Sequence, residues 1–240
     1  MISQLGLSGM LVSFADRLDE AANRAAIAFR ARVEDERIPG IEESATSLAS
    51  VFLRFDPMSM DHHRLRASLE ALLAERDWLA APLPHGRRLW RIPVCFEGAH
   101  GPQLAQAAEL AGLEPDQAIA ELTAARTRVL TIGFAPGQPY LGILPPHWNI
   151  PRQTELTRSV PEGALTVAVR QFVLFAVTSP TGWRQVGRTA FRCFRADADP
   201  PFRLRPGDEV RFEAIGAAAF ERILAHDGDG TGGAVAEAIE

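Results

Sequence analysis

Five residues of types suited to recognising carboxylates and amides fall within residues 140–188. They are Tyr140, Arg152, Gln171, Trp183 and Arg188. A guanidinium group holds a carboxylate through two parallel hydrogen bonds, so Arg152 and Arg188 are candidate carboxylate-binding residues. Gln171 can donate to and accept from an amide or ureido group, Tyr140 adds a phenol, and Trp183 offers a flat apolar wall with one N–H donor. These residue types predict a binding site for a small amide or carboxylate substrate.

Each of these residues also has a purely structural interpretation. Arg188 has acidic partners available in Asp208 and Glu209, with which it can form an internal ion pair. Tyr140 and Gln171 can brace turns, and the tryptophan can plug one end of a barrel. The sequence alone leaves both interpretations open.

No complete catalytic set is visible, so the catalytic residues are unknown from the sequence. Ser159 and Ser179 lie near turns, but neither belongs to a G-x-S-x-G elbow or has a histidine with an orienting carboxylate. The chain has no lysine, so it offers no P-loop for ATP, no biotin attachment site and no Schiff base. Cys95 and Cys193 lack metal-ligand spacing and lie in apolar stretches, which predicts buried free thiols and no metal. We therefore expect this chain itself to bind no cofactor.

Closely spaced Gly and Pro residues predict that the candidate side chains are presented by shaped loops. Short apolar runs at 165–169 and 173–177 alternate with these residues at the spacing of a small barrel or sandwich. Gly supplies backbone angles closed to other residues and Pro fixes φ, so each specifies a bend. The predicted loop-forming residues are Gly133, Pro136, Gly137, Pro161, Gly163, Gly182 and Gly187.

The elements before this segment predict a scaffold domain. In order, they are a strand at 5–14, a helix from Asp16 or Asp19 to about residue 37, strands at 41–45 and 50–55, a helix from Asp61 to about residue 79, and a strand at 89–96. The order β-α-β-β-α-β is that of a ferredoxin-like split unit. The predicted fold class is therefore α+β, with a ferredoxin-like domain at 1–90, a β-barrel domain at 91–225 and a flexible tail at 226–240.

The composition is that of an ordinary globular protein, with 47% hydrophobic residues and a net charge of -5. No basic stripe interleaved with aromatic residues is present, which argues against nucleic acid as a partner. No apolar run approaches the length of a membrane span, and the N-terminus lacks the pattern of a signal peptide. We therefore expect a cytoplasmic protein that does not enter a membrane.

The chain contains an ordered set of short motifs. They are Ile132–Gly142 (IGFAPGQPYLG), Ser159–Leu165 (SVPEGAL), Ser179–Trp183 (SPTGW), Val186–Thr189 (VGRT) and Gly207–Phe212 (GDEVRF). In this order they resemble the KipI family, also called the allophanate hydrolase subunit 1 family, which includes the B-type subunit of the bacterial ATP-dependent 5-oxoprolinase. The resemblance covers nearly the whole chain and is densest over 129–212. Any one motif is weak evidence, whereas the ordered set is specific.

The resemblance implies that the C-terminal half is a cyclophilin-like β-barrel in a carboxyltransferase-like assembly. It implies a partner of the allophanate hydrolase subunit 2 type, which is the C-type subunit of 5-oxoprolinase. In that enzyme, these two act with a LamB/YcsF-like A-type subunit to open 5-oxoproline to glutamate, and the complex uses ATP. The related urea carboxylase moves a carboxyl group to urea. A site shared between two chains agrees with the absence of a complete catalytic set here.

Two other roles are compatible with the same resemblance. The chain can be a regulator that binds and inhibits a histidine kinase, as the member that gives the family its name does. It can also be a catalytically degenerate partner that only stabilises the C-type subunit. Loss of polar groups from the family pattern bears on this choice. The departures, in chain order, are Leu122 for His, Thr127 for Tyr, Gln138 for Phe, Leu156 and Thr157 for a second Pro-Arg, and Thr181 for Gly.

Overall fold

A computed structural model describes all residues from Met1 to Glu240 and divides the chain into two compact units. The first unit comprises residues 1–85 and the second comprises residues 86–240. No helix in either unit is both long and apolar enough to cross a membrane.

The first unit is a four-stranded antiparallel sheet with two helices. Its elements are β1 Ile2–Leu5, β2 Gly9–Ser13, α1 Glu20–Glu36, β3 Ile41–Ser47, β4 Ser50–Phe55 and α2 His62–Leu73. The strand order in the sheet is β1-β2-β4-β3. The predicted helix starts are confirmed, since the Asp19 and Asp61 carboxylates accept hydrogen bonds from the backbone N–H groups of Ala22 and Arg64.

One core holds this unit together, because the apolar stripes of both helices face one side of the sheet. Its fully buried members include Phe29 on α1, Leu65 and Leu69 on α2, and Val51 and Leu53 on β4. The helical residues recur at intervals of three or four and the strand residues at intervals of two. The unit thus has a hydrophobic core of its own.

The second unit is built on a closed seven-stranded barrel. Its elements are β5 Arg87–Cys95, α3 Leu104–Ala111, α4 Pro115–Ala124, β6 Arg126–Ile132, β7 Pro139–Gly142, β8 Thr157–Val160, β9 Ala164–Ala168, β10 Gln171–Leu174, β11 Ser179–Thr181, β12 Arg184–Arg188, β13 Glu209–Ile215, α5 Ala217–His226 and β14 Val235–Ile239. The order is β12-β9-β10-β7-β6-β13-β5, and pairing of β12 with β5 closes the ring. The predicted fold class, an α+β chain with a β-barrel in its C-terminal half, is confirmed.

The barrel encloses a core in which alternate residues of each strand point inward. Ile92 and Val94 on β5, Phe172 and Leu174 on β10, and Phe212 on β13 are all fully buried there. Alternation of period two also sends the intervening residues to the outer surface. The candidate site lies on that outer surface.

The prediction that residues 89–96 complete the first unit is wrong. β5 pairs in parallel with β13 over seven residues, from Leu89 opposite Glu209 to Cys95 opposite Ile215, and therefore belongs to the barrel. In the first sheet the place beside β2 is taken by β1, since the chain turns back at Gly6, whose φ is +65°. The predicted strand at 5–14 is accordingly a hairpin, and the unit boundary lies at 85/86 rather than 90/91.

The last residues are also more ordered than the sequence predicts. The structure places β14 antiparallel to β5, with register pairs from Val235 opposite Arg91 to Ile239 opposite Arg87. The composition of 227–232, rich in Gly and Asp, suggested a flexible tail. That stretch instead forms a turn, in which Asp227 accepts a hydrogen bond from the N–H of Gly232. The turn returns the chain to the barrel edge.

Deleting residues 235–240 is therefore expected to destabilise the barrel. The deletion exposes the edge of β5 and removes about four backbone hydrogen bonds, for a loss of roughly 1–3 kcal/mol, or a fall of several degrees in the midpoint of thermal unfolding. Circular dichroism of the full chain and the truncated chain measures this shift. Removing Glu240 alone is the control and should change the midpoint little. An unchanged midpoint after the longer deletion would contradict the pairing.

Candidate functional site

A cavity lies on the outer face of the barrel wall at β7 and β10. On β10, Phe172 and Leu174 point into the barrel core, so Val173 between them points outward. On β7, Leu141 points inward and Tyr140 outward, and Tyr140 is the register partner of Val173. Strand alternation thus brings Tyr140 and Val173 together on the floor of the cavity.

A two-stranded ribbon formed by β8 and β11 covers part of this outer face. Val160 of the ribbon and Trp183 just after it pack with Ala164 and Ala168 of β9 in a small cluster separate from the barrel core. The ribbon leaves a cavity of about 280 Å³ between itself and the wall. The lining residues are Phe134, Gln138, Tyr140, Arg152, Gln153, Leu156, Val173, Phe175, Pro180, Thr181, Gly182 and Trp183.

Arg152 gives the cavity a positive charge that no acidic residue of the cavity offsets. Its guanidinium carbon lies 5.2 Å from the centre of the Trp183 ring, and it forms no ion pair with any carboxylate. Tyr140 stands edge-to-face against the same indole, with ring centres 6.1 Å apart. A planar cation stacked on an aromatic face keeps its N–H groups free for a ligand. The cavity therefore suits a small anion, and a carboxylate in particular.

The segment that carries Arg152 is fixed by a buried arginine. Arg184 on β12 is 7% exposed, and its Nη1 donates to the carbonyl of Pro151 at 2.6 Å. Its Nε donates to the side chain of Gln106 on α3 at 3.1 Å. No carboxylate accompanies it, and burial lowers the pKa of Arg184. The hydrogen bond from Arg184 thus fixes the backbone at Pro151, directly before Arg152.

Gln153 is held by a chain of amide hydrogen bonds. Its N–H donates to the carbonyl of Gly182 at 2.7 Å, and its Oε1 accepts from Nε2 of Gln103 at 2.6 Å. Gln103 Oε1 in turn accepts from the N–H of Gln185. Thr157, at a departure from the family pattern, takes part by accepting from Gln153 Nε2 at 3.2 Å.

The chain approaches Arg152 from another fixed point. Trp148 is fully buried, and its indole N–H donates to Glu121 of α4 at 3.1 Å. His147 Nε2 lies 2.6 Å from the same carboxylate oxygen. The hydrogen bond with His147 lowers the pKa of Glu121, and the bond from Trp148 acts in the same direction. These two contacts fix residues 147 and 148, which precede Arg152 by five and four residues.

The mouth of the cavity is apolar and partly strained. Phe134 is 74% exposed and has a φ of +72°, a left-handed conformation that is costly for a bulky residue. The turn that holds it is closed by hydrogen bonds from Gly133 N–H to Gln138 O and from Gln138 N–H to Ala135 O. Leu156, 65% exposed, lines the same cavity.

Two of the predicted loop positions can hold only glycine, because the backbone has a positive φ and leaves no room for a Cβ atom. Gly137 has a φ of +73°, and a Cβ there would lie 2.9 Å from the carbonyl oxygen of Cys193. Gly163 has a φ of +80°, and its Cβ would lie 2.1 Å from the carbonyl oxygen of Thr189. Thr181, which replaces Gly of the family pattern, does not have a positive φ. Its Oγ1 accepts a hydrogen bond from Trp183 N–H at 3.0 Å, so the substitution fits the loop.

The structure brings together three of the five predicted substrate-binding residues. Tyr140, Arg152 and Trp183 line the cavity, whereas Gln171 and Arg188 do not. Arg188 Nε donates to the carbonyl of Glu162 at 3.4 Å, and its guanidinium carbon lies 5.7 Å from the centre of the Phe220 ring. The ion pair of Arg188 with Asp208 or Glu209, which was the alternative prediction, is not formed, because both carboxylates pair with other arginines. Asp208 pairs with Arg88, and Glu209 pairs with Arg87 and Arg126.

Among the cavity residues that sequence reasoning missed are two glutamines. Gln138 and Gln153 both line the cavity, but the first counted only as a departure from the family pattern. The spacing could have predicted Gln138, because it precedes Tyr140 by two residues and side chains two apart in an extended segment lie on the same side. Leu156 and Thr181, which are also departures, line the cavity too, whereas Leu122 and Thr127 lie elsewhere. Leu122 is buried in the barrel unit, and Thr127 Oγ1 donates to the carbonyl of Val210.

Comparison with known proteins identifies this architecture. A family model described as the carboxyltransferase domain, subdomain C and D, matches residues 1–204. The chain belongs to this family. The B-type subunit of 5-oxoprolinase from Bacillus subtilis is 31% identical over 224 residues, which cover 89% of this chain and 92% of that protein. The resemblance predicted from the ordered motifs is therefore confirmed.

Two solved structures share the fold. The protein TTHA0988 superposes with a TM-score of 0.75 at 28% identity over 90% of this chain. This chain spans only 41% of the length of that one. The Kluyveromyces lactis urea carboxylase superposes with a TM-score of 0.76 at 19% identity, over 98% of this chain and 23% of its own length. At that identity, the likeness shows a shared fold.

Proposed function

We propose that this chain is a subunit of an ATP-dependent 5-oxoprolinase, or of a related complex that handles amide or urea carboxyl groups. Its partners are an allophanate hydrolase subunit 2 type protein, here called the C-type protein, and a LamB/YcsF-like protein, here called the A-type protein. The observation that carries the proposal is the cavity at β7 and β10, which contains Arg152 and no acidic residue. The name of the Bacillus subtilis relative supports the choice of substrate.

The residues of the cavity suit the binding of 5-oxoproline. Arg152 binds the substrate carboxylate through two hydrogen bonds while its guanidinium stacks on Trp183. The Tyr140 hydroxyl is a donor that can stabilise negative charge as it develops on a carbonyl oxygen. Val173 and Phe175 form apolar walls that exclude water and strengthen these bonds.

The chain supplies substrate binding rather than the whole reaction. None of the cavity-lining residues is a Cys, Lys, Asp, Glu or His. ATP, which the complex consumes, is therefore expected to bind on one of the partner proteins. The exposed apolar side chains of Phe134 and Leu156 at the cavity mouth are expected to lie against the C-type protein, which closes the site.

Reconstitution tests the proposal. This chain is co-expressed with the A-type and C-type proteins of the same genome, and ATP-dependent formation of glutamate from 5-oxoproline is measured. The expected result is turnover that requires all three proteins, and the preparation lacking this chain is the control. A stable complex that turns over neither 5-oxoproline nor urea would contradict the proposal. Recovery of a histidine kinase without the C-type protein would favour a regulator instead.

A further inference from the structure

Gln138 is a buried amide whose hydrogen bonding is only half satisfied within the protein. It is 1% exposed and lines the cavity beside Tyr140 and Phe175. Its Oε1 accepts a hydrogen bond from the backbone N–H of Ala176 at 3.4 Å. An N–H group can pair only with the oxygen of a carboxamide, so this contact fixes which end of the side chain points where.

The amide nitrogen of Gln138 is left without a protein partner. This nitrogen donates a hydrogen bond to no atom of the chain, and it is not completely enclosed by protein atoms. Because Gln138 lines the cavity, we take its NH2 group to be directed into that space. A buried donor that stays unpaired is costly, and a ligand oxygen in the cavity would satisfy it.

We infer that Gln138 is a specificity-determining residue, which donates from its NH2 group to a carbonyl oxygen of the substrate. The substrate class is a small carboxylic acid that carries a second carbonyl group, as in a cyclic amide carboxylate. Arg152 binds the carboxylate and Gln138 reads the second carbonyl. The identity of the cavity as the substrate site rests on the function proposed above.

The surroundings of Gln138 make this donor selective. Val173 and Phe175, from the neighbouring β10 segment, form the apolar wall beside it. A hydrogen bond in such surroundings is strong, and a ligand that lacks the acceptor leaves the amide unpaired. We therefore expect discrimination between ligands that differ only in this carbonyl.

Two ligands and two substitutions test the assignment. 5-Oxoproline and cyclopentanecarboxylate both carry a ring and a carboxylate, and only the first has a ring carbonyl with the adjacent ring N–H, so the Gln138 variants are needed to assign a preference to the carbonyl. Binding to the full chain is followed by NMR, including the side-chain NH2 signal of Gln138. The wild type is expected to bind 5-oxoproline about tenfold more tightly, the effect of one hydrogen bond, and to shift that signal.

Gln138→Leu removes the donor at similar volume and is expected to abolish the tenfold preference while leaving binding of cyclopentanecarboxylate unchanged. Gln138→Glu keeps an acceptor for Ala176 N–H but offers no donor and repels carboxylates, so both ligands should bind more weakly. Since Gln138→Glu keeps the contact with Ala176, loss of the preference between the two ligands in this variant as well would assign that preference to the donor rather than to the local structure.

The outcomes distinguish this inference from the proposed function. A preference that survives in Gln138→Leu, or a wild-type chain that binds neither ligand, would overturn the assignment of Gln138. A reconstituted complex without turnover, together with a preference that Gln138→Leu abolishes, would overturn the proposed function and leave the assignment standing.

Discussion

Replacing Asp208 with alanine is expected to lower the free energy of unfolding of the barrel unit by about 3–5 kcal/mol. Asp208 is 2% exposed and lies in the turn before β13. Its carboxylate accepts from the Arg88 N–H at 2.9 Å and Arg88 Nη2 at 2.6 Å. It also accepts from the Arg205 N–H at 3.1 Å and Trp90 Nε1 at 3.4 Å. Alanine leaves three donors unpaired, and it leaves Arg88 without its carboxylate, with Nη2 still bonded to the carbonyl of Arg203.

Asp208 also stands where three strands meet. Its carbonyl accepts from Val129 N–H of β6, and its side chain binds the start of β5 through Arg88. The turn therefore connects β5, β6 and β13, and its loss should loosen the parallel pairing of β5 with β13. Urea denaturation followed by tryptophan fluorescence measures the effect, since Trp90, Trp148 and Trp183 all lie in this unit.

Two variants serve as controls for Asp208→Ala. Asp208→Asn keeps the shape and one acceptor oxygen, so it should lose clearly less stability than alanine. Asp197→Ala removes a carboxylate from an exposed pair with Arg195, and such pairs contribute little. Equal losses for Asp208→Ala and Asp197→Ala would show that burial of the carboxylate does not matter.

The local elements of the fold could be predicted from the sequence, but the membership of the sheets could not. Helix starts at Asp19 and Asp61 follow from side chains that act within four residues. The alternating pattern of residues 89–96 correctly predicts a strand. It does not encode whether the partner is β2 or β13, because every strand edge offers backbone N–H and C=O groups and side-chain alternation does not specify the partner. The hairpin at Gly6 places β1 at the edge beside β2, so that edge is already occupied.

The site shows the same division between local and distant information. Tyr140, Arg152 and Trp183 were predictable as a set, because all three follow turns that present side chains. Arg188 lies at the end of β12, opposite Cys95 of β5, and its neighbours come from distant parts of the chain. Gln138 was overlooked for a different reason. A comparison with the family pattern registers a lost phenylalanine, whereas the hydrogen bond that Gln138 Oε1 accepts from Ala176 N–H orients the whole amide.

Arg152→Gln is expected to lower kcat/KM of the reconstituted complex for 5-oxoproline by about 100-fold. Glutamine can still donate one bond to the carboxylate, so the loss is roughly that of one hydrogen bond to a charged group, about 1.5–3 kcal/mol, and the upper part of that range corresponds to 100-fold. The carboxylate is bound before and during the reaction, so most of the loss should appear in KM rather than in kcat. Steady-state kinetics with saturating ATP measures the two constants separately.

Two further variants show whether the effect of Arg152→Gln comes from the cavity. Arg152→Lys keeps the charge but cannot form two parallel bonds or stack flat on Trp183, so a loss of about tenfold is expected. Arg158→Gln makes the same change of charge at an exposed position of β8 that does not line the cavity, and it should leave both constants unchanged. Equal effects of Arg152→Gln and Arg158→Gln would mean that the chain acts through its overall charge. A fall in kcat at unchanged KM would place Arg152 on the transition state instead of on the substrate carboxylate.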